Sequence, residues 1–552
     1  MLIPTRLAAR VALCCLLIAS PLLLTGAEPH FFADDPLQRE PDTQDASKVK
    51  EWEIVLVYDL ATNLFSRPGD PAADVRAKNI NTVDEVPDSN WFTNRVLSRP
   101  VTPDDLARGP NTGSGPAPGR WTVVSRKLAG AAPGFTMRDS RNDLWFISFD
   151  ANDHPEAATS AIMVANKIFW GLGYWQVENY LTKMTLDQLA IAETATYTPP
   201  SGRKRKLEMR DLEEVLRRAH RSADGSYRAI AAKGLPGRPI GGFRYFGTRP
   251  DDPNDVIPHE HRRELRALKV FGAWTNLVDM KAGNTLDTVV EDNGRSVVRH
   301  YLQDVGSTFG TGANGPREYD EGWETLFDGG LTRKRLLRMG FYFEPWQTTD
   351  YVDNPAIGRF EGEDFDPQGW RPRVPTAAFL RARADDNFWA ARRVAAFTDD
   401  MIRSAVRAGG YSDPAAAKLL ADVLIQRRAK IAAAYLPAIN PLVDFALSNS
   451  GRLTFRNAAV DAGAATAPPA GYSATWGEFD NATGQTRPLG PATTAATGDI
   501  PAPPPLPSSI GSFLQVRVAA LAPAREEWTR PVDVYFTRTA EGWRLVGVQR
   551  MP

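Results

Sequence analysis

Two short acidic motifs, separated by the pattern of a β-hairpin, constrain the fold of this chain more than any other feature. The first is DMKAGN at residues 279–284, which fits D-x-x-x-x-N, and the second is DVG at residues 304–306, which fits D-x-G. Between them the chain reads as two short strands joined by an Asn-Gly turn at residues 293–294. Such a hairpin predicts that Asn284 and Asp304 lie together at its open end.

These residue types suit the transfer of a phosphoryl group. That reaction needs a carboxylate to orient the attacking hydroxyl and hard oxygen ligands to hold Mg²⁺ on the phosphates. We therefore predict Asp279 as the catalytic base and Asn284 and Asp304 as metal ligands. The alternative is coincidence, because D-x-x-x-x-N is expected about once by chance in a chain of this length. The order of the motifs, with an amphipathic helix pattern at residues 258–277 before them, favours a site.

At these motifs the chain resembles the atypical kinase-like proteins of the HipA and CotH type. It is also similar to exported bacterial proteins that share the strings NTVDEVPDSNWFTNR (81–95), APGFTMRDSRNDLWFISFD (132–150) and TRPDDPNDVIPHEHRRELRALKVFGAW (248–274). The kinase-like resemblance covers roughly residues 121–440. It implies a bilobal fold that binds Mg²⁺ and ATP or another nucleotide.

One position departs from the family pattern. The family carries a lysine directly before the Phe-Asp that ends a strand, and here Ser148 occupies that position. In kinases this lysine binds the phosphates and pairs with a helix glutamate. Either Lys127 supplies the missing cation from an earlier strand, or the site is degenerate and binds without catalysing.

The same resemblance suggests further cofactor-binding positions. Lys127 precedes a glycine-rich turn that contains Gly130 and Gly134, which would approach the phosphates. Glu156, at the start of a predicted helix, is the candidate for the helix glutamate. Its alternative role is that of a first-turn acid that complements the helix dipole.

The N-terminus has the pattern of a secretory signal peptide over residues 1–27. Basic residues precede an apolar stretch at 11–24, which is short for a membrane span, and small residues follow at 25–27. Both cysteines, Cys14 and Cys15, lie in this segment, so a mature chain starting near Glu28 would contain no disulfide and no zinc-thiolate site. The expected location is periplasmic or extracellular. An uncleaved anchor and a lipidated cysteine are the alternatives.

The numbers of acidic and basic residues indicate which classes of binding partner to expect. The chain has 65 Lys and Arg against 66 Asp and Glu, for a net charge of −1, whereas proteins that bind nucleic acid usually carry a basic excess. We expect no nucleic-acid partner and no membrane span in the mature chain. The partner would be an unknown acceptor or a component of the cell envelope.

The pattern along the 552 residues predicts an α+β protein of several units. Residues 28–120 form an N-terminal extension in which 52–60 alternate like a strand. A β-rich small lobe at 121–200 and a helical large lobe at 201–445 form a bilobal, protein-kinase-like core. Alternating strands at 446–552 predict a β-sandwich-like domain that contacts a partner.

Two functions remain open from the sequence. The first is an exported, Mg²⁺-dependent phosphotransferase that acts on an unknown hydroxyl acceptor. The second is a catalytically inactive, pseudokinase-like binding or scaffold protein of the cell envelope. Ser148 favours the second function, as does an ATP-poor location outside the cytoplasm. The presence of both Asp279 and Asp304 favours the first.

Overall fold

The structure, a computed structural model, describes residues 28–127, 132–199, 202–339, 341, 343–503 and 505–550. The predicted signal peptide at residues 1–27 and Gly130 lie outside the described residues. The described chain is a mixed α+β protein with several sheets. Within it, no helix is both long enough and apolar enough to cross a bilayer.

The helices are concentrated between the first sheet and the C-terminal strands. They are α1 (Leu56–Phe65), α2 (Pro103–Arg108), α3 (Ala157–Leu172), α4 (Met209–Leu216), α5 (Arg263–Thr275), α6 (Gly329–Leu337), α7 (Ala377–Leu380), α8 (Ala384–Ala395), α9 (Asp399–Ala408), α10 (Pro414–Tyr435), α11 (Ala458–Asp461) and α12 (Glu526–Thr529).

The strands fall into a group before α5, a central group and a C-terminal group. The first group is β1 (Trp121–Arg126), β2 (Gly134–Arg138), β3 (Leu144–Phe149), β4 (Asn179–Met184), β5 (Leu189–Ile191), β6 (Thr196–Tyr197), β7 (Arg205–Lys206), β8 (Tyr227–Lys233) and β9 (Arg238–Pro239). The central group is β10 (Thr285–Asp292), β11 (Arg295–Leu302), β12 (Thr311–Gly312) and β13 (Gly315–Pro316). The last group is β14 (Leu442–Leu447), β15 (Arg452–Asn457), β16 (Tyr472–Phe479), β17 (Thr486–Pro488), β18 (Thr493–Ala495), β19 (Asp499–Pro501), β20 (Phe513–Ala520), β21 (Val532–Arg538) and β22 (Trp543–Arg550).

The N-terminal extension is built into the molecule. The strand predicted at residues 52–60 is wrong, because helix α1 covers most of that stretch. Asp59 and Asn63, four residues apart, are the buried residues of α1, so the helix presents one face to the protein. Further along, Trp91 and Phe92 are buried in the main hydrophobic core. The extension therefore contributes to the core of the large helical region.

The first large sheet has the strand order β4-β8-β3-β2-β1-β5. Alternating burial along β2 and β3 places one face of each strand in the core beneath α4. Strand β8 pairs with both β3 and β4, so the sheet takes a strand from beyond residue 200. The helix predicted to begin near Glu156 is α3, which ends at Gly173, whose φ of 123° suits a residue without a side chain.

The predicted hairpin is present as β10 and β11. Thr285 pairs with Leu302 at its open end, and Asp292 pairs with Arg295 beside the turn. Asn293 and Gly294 occupy the turn with φ of 52° and 76°, the positive values that a two-residue hairpin turn requires.

The large hydrophobic core extends from the helices into the C-terminal strands. Helices α5, α8, α9 and α10 supply much of it, and Asp413 caps α10 by accepting a hydrogen bond from the backbone N–H of Ala415. The C-terminal strands form one sheet ordered β14-β15-β19 and a second ordered β17-β16-β20-β21-β22, with β18 beside β16. Buried residues from both sheets belong to the same core as the helices.

Candidate active site

A cleft of about 480 Å³ lies between the first sheet and the hairpin. This volume is in the range of small-molecule sites. Its walls are mainly apolar and come from the sheet, α3 and the hairpin: Leu144, Phe146, Ile147, Ile162, Ile230, Leu235, Leu286 and Val305. Lys127, Ser148 and Asp304 also line it, so three positions singled out from the sequence face one cavity.

Lys127 lies beside Ser148. Its ammonium Nζ is 3.4 Å from the Ser148 hydroxyl, so it lies next to the position where the family pattern has its lysine. Packing around the side chain lowers the pKa of Lys127, while the negative charge of Asp304 opposes that shift. A cation is thus present in the cleft although the strand residue is a serine.

Gly134 allows the strands around Lys127 to approach closely. Gly134 pairs with Ser148 across β2 and β3, and its carbonyl accepts a hydrogen bond of 3.2 Å from the Lys127 backbone N–H. A Cβ at Gly134 would come within 2.2 Å of the Ile147 carbonyl oxygen, which leaves no room for a side chain. The structure therefore brings Lys127, Gly134 and Ser148 together.

The two acidic motifs are connected through Asn284. Its side-chain amide donates a hydrogen bond of 2.7 Å to the backbone carbonyl of Asp279. Its own backbone carbonyl accepts a bond of 3.0 Å from the Asp304 N–H. The amide nitrogen is thus used to hold the loop, and the amide oxygen is the atom that would serve the predicted metal. The hairpin thus places Asn284 next to Asp304, and the loop hydrogen bond ties both to Asp279.

The D-x-G motif forms a tight turn against α3. One carboxylate oxygen of Asp304 accepts a hydrogen bond of 2.9 Å from the Gly306 N–H. A Cβ at Gly306 would lie 2.8 Å from Cγ1 of Ile162, so the third position of the motif has little space for a side chain. This turn holds the Asp304 side chain at the edge of the cleft.

Asp279 faces a neighbouring pocket and is not among the described residues that line the cleft. Its carboxylate is 2.8 Å from the ammonium of Lys281. Sequence reasoning missed Lys281, although it lies within the D-x-x-x-x-N motif, two residues after the aspartate. Arg317 lines the same pocket and donates to the Ser307 hydroxyl, which lines the cleft. The two cavities therefore share a wall.

The prediction that Glu156 acts as the helix glutamate is not supported by its position. Its carboxylate accepts bonds of 2.8 and 3.1 Å from the Ser412 N–H and hydroxyl, and it lies 3.5 Å from the Arg228 guanidinium. Glu156 precedes α3 with a φ of 66° and links the first sheet to the start of α10. Arg228 and Ser412 are far away in the chain, so local sequence could not reveal this contact.

The donor set suits a magnesium ion held partly by a nucleotide. The described residues contain no group of three or more His, Cys, Asp or Glu side chains able to hold a metal alone. Mg²⁺ is usually bound by one or two carboxylates together with phosphate oxygens and waters. Asp304 offers a carboxylate and Asn284 an amide oxygen, which fits that mode of binding.

Comparisons with known proteins return a distant similarity to a kinase fold. No family model and no curated protein matches the chain. A crystal structure of the Golgi casein kinase matches with a TM-score of 0.31 and 11% identity, over 73% of this chain and 94% of that chain. The same kinase with Mn/ADP bound matches with a TM-score of 0.28 and 12% identity, over 73% and 96%. The resemblance to HipA- and CotH-type proteins stays a prediction.

Proposed function

We propose that this chain is an exported, Mg²⁺-dependent phosphotransferase with a bilobal, kinase-like core and a C-terminal β-sandwich. It would use ATP or another nucleotide and phosphorylate a hydroxyl. The observation that carries the proposal is the pair of hydrogen bonds through Asn284, which joins the base, Asp279, to the metal ligand, Asp304. A turn or a helix cap alone would not bring both motifs to one point.

Each residue has a role that its position supports. Lys127, beside Ser148 and facing Asp304 across the cleft, would bind the nucleotide phosphates. Asn284 and Asp304 would hold Mg²⁺, which when bound neutralises charge on the phosphates. Lys281, paired with Asp279, would contact the transferred group.

The proposed reaction needs one proton acceptor on the protein. The bond between the terminal phosphorus and its bridging oxygen breaks, and a new bond forms from that phosphorus to the acceptor oxygen. The proton of the acceptor hydroxyl passes to the Asp279 carboxylate. Asp279 borders a pocket next to the cleft, so an acceptor in that pocket would meet the base on the side away from the nucleotide.

A second candidate is a pseudokinase-like binding protein of the cell envelope. Ser148 favours it, since a serine cannot supply the charge of the family lysine. Lys127 offers a replacement cation 3.4 Å from that serine, which is why we prefer the enzyme.

A calorimetric titration of ATP with and without Mg²⁺ tests the proposal. Binding is expected to require Mg²⁺ and to weaken about 10- to 100-fold in Asp304→Asn, because an amide provides a dipole where the carboxylate provides a full charge. Asp353→Asn, an exposed position away from the cleft, is the matched control. If no nucleotide binds the wild-type chain in the presence of Mg²⁺, the binding-protein alternative replaces the enzyme.

Cleavage of the predicted signal peptide is tested by a separate experiment. N-terminal sequencing of the protein from its native host is expected to give a start near Glu28. Material that still begins at Met1 would contradict cleavage of residues 1–27.

A further inference from the structure

The pocket beside Asp279 is closed on one side by helix α1. It has a volume of about 490 Å³. Its walls are largely apolar and consist of Leu56, Val57, Leu60, Met280, Leu326 and Val374. Asp59, Asn63, Lys281, Arg317 and Arg373 add polar atoms. The N-terminal extension thus completes a cavity whose other wall is the DMKAGN loop.

Two buried oxygen atoms in this pocket have no hydrogen-bond partner. They are Oδ1 of Asp59 and Oδ1 of Asn63, in side chains that are 5% and 6% exposed. The Asn63 amide nitrogen is already used, since it donates to the Asp59 backbone carbonyl. Oδ1 of Asp59 is 3.8 Å from Nε of Arg244, an ion pair too long for a hydrogen bond. Buried polar atoms are normally paired, so unpaired ones that line a cavity indicate missing donors.

The cations of the pocket are occupied by protein carboxylates. Arg317 is 3.3 Å from Glu321, and Arg373 forms a close ion pair with the same glutamate. Lys281 pairs with Asp279. Among the described residues of the pocket, these cations therefore each have a carboxylate partner, although the buried Nε of Arg317 makes no hydrogen bond. Hydroxyl groups, which both donate and accept, suit this mixture of unpaired atoms.

We propose that the acceptor is a polyhydroxylated amphiphile: an apolar body lies against α1, Leu326 and Val374, and its hydroxyls donate to Asp59 and Asn63. One further hydroxyl would face Asp279. This inference rests on the proposed function for the transfer step, whereas the binding itself rests on the pocket alone.

The size and rim of the pocket favour such a molecule over a peptide. A serine or threonine side chain would fill only a small part of the volume. The apolar surface continues beyond the pocket to Phe65 and Phe327, which are 69% and 51% exposed and whose rings are 5.2 Å apart. A chain longer than the pocket would find apolar contacts there, as expected for an apolar body with a hydroxylated head.

Octyl β-D-glucoside, used below its micelle concentration, is the probe. Calorimetric titration into the full chain should show binding at least about tenfold tighter than that of glucose or octanoate, because each lacks one half of the contacts. Val57→Lys places a charge in the apolar wall, and Asn63→Leu removes an unpaired oxygen. Each is expected to weaken glucoside binding about tenfold, the cost of one lost buried partner.

Two variants on the same helix serve as controls. Tyr58→Lys and Thr62→Leu alter neighbours that do not line the pocket and should keep the wild-type affinity for the glucoside. ATP with Mg²⁺ is titrated into every variant to check that the cleft is intact. Equal glucoside binding in all variants would overturn the inference, as would tighter binding of acetyl-leucyl-seryl-leucinamide than of the glucoside.

The outcomes separate this inference from the proposed function. If ATP with Mg²⁺ binds but the glucoside does not, the acceptor assignment fails and the phosphotransferase proposal stands. If the glucoside binds in the expected variant-dependent manner but no nucleotide binds, the pocket assignment is supported and the phosphotransfer fails.

Discussion

At the scale of single residues, the cleft contains Lys127 beside Ser148, the position at which the resemblance predicts a lysine. Ser148 is on β3, whereas Lys127 follows β1 and reaches the serine across β2. In the proposed function Lys127 would bind phosphates, and that role depends on where the ammonium lies and not on which strand supplies it. The small Ser148 side chain leaves space for the longer one.

Removing the Lys127 ammonium should weaken nucleotide binding. In Lys127→Ala the phosphates lose a cation that faces Asp304, and the affinity for ATP with Mg²⁺ is expected to fall about tenfold or more, as for other charge-assisted hydrogen bonds. Calorimetric titration measures the change. Lys183→Ala, on an exposed position of β4, is the control.

Ser148→Lys tests the same arrangement from the other side. A second ammonium within reach of Lys127 would experience like-charge repulsion, so restoring the family residue should leave ATP affinity unchanged or reduce it. If Lys127→Ala has no effect while Ser148→Lys increases affinity, Lys127 does not replace the family lysine and the site is degenerate.

At the scale of elements, helix α3 carries an unusual buried lysine on the side that packs against α2. The Lys167 side chain is fully buried, and its ammonium donates a hydrogen bond of 3.0 Å to the Arg108 carbonyl at the end of α2. Burial lowers the pKa of Lys167 to about 7, although Glu178 opposes the shift. The folded protein therefore binds this proton more weakly than the unfolded chain does.

This lysine should make stability increase with pH. Its pKa is about 7 in the folded state and 10.5 for an ordinary lysine, so between these limits the unfolded chain holds more protons and the free energy of unfolding rises with pH. The rise due to this group is at most about 5 kcal/mol, at 1.36 kcal/mol for each pKa unit. Urea unfolding at several pH values should show that Lys167→Met loses this increment.

An exposed lysine provides the comparison for that measurement. Lys183→Met should retain the wild-type pH dependence, because its side chain is exposed in both states. If the wild type and Lys167→Met change in parallel between pH 7 and 10, the buried lysine is not responsible for the effect.

At the scale of the whole molecule, a buried ion network connects the N-terminal extension to the helical region. The fully buried Arg263 of α5 donates to the Asp84 carboxylate at 2.9 Å, to Asp385 at 3.0 Å and to Asp386 at 3.0 Å. Trp91 stacks on His300 of the hairpin with ring centroids 3.5 Å apart. The extension is thus attached both to the large core and to the hairpin that carries the candidate metal ligands.

Loss of Arg263 should destabilise the entire chain. Arg263→Met leaves three carboxylates without their shared partner, and removing one side of a buried ion pair costs about 3–5 kcal/mol. Chemical unfolding should show this decrease in the free energy of unfolding. Arg210→Met, in an exposed pair with Glu208, should change it by less than about 1 kcal/mol.

If Arg263→Met changed the free energy of unfolding only slightly, the ion network would not be needed to hold the extension in the fold. The expected result instead indicates that the network through which Asp84 of the extension contacts α5 contributes to the stability of the fold. It would also explain why α1 can serve as a wall of the acceptor pocket.

Elements whose signals are local could be predicted from the amino-acid sequence alone. The Asn-Gly turn at 293–294 and its flanking strands predicted the hairpin. Alternating residues predicted the long C-terminal strands, and the order of the two motifs predicted that Asn284 lies beside Asp304. These features depend on side chains a few residues apart or on the two ends of one hairpin, so the pattern contains the necessary information.

Features that depend on partners distant in the chain could be seen only in the folded protein. Residues 52–60 alternate like a strand, but helix α1 begins at Leu56, and its buried face, with Asp59 and Asn63, lies against parts of the protein that are distant in the chain. Glu156 pairs with Arg228 and Ser412, which approach it only after the sheet and α10 have assembled. Such contacts cost chain entropy, which only the interactions of the complete fold can offset. No local sequence pattern therefore predicts them.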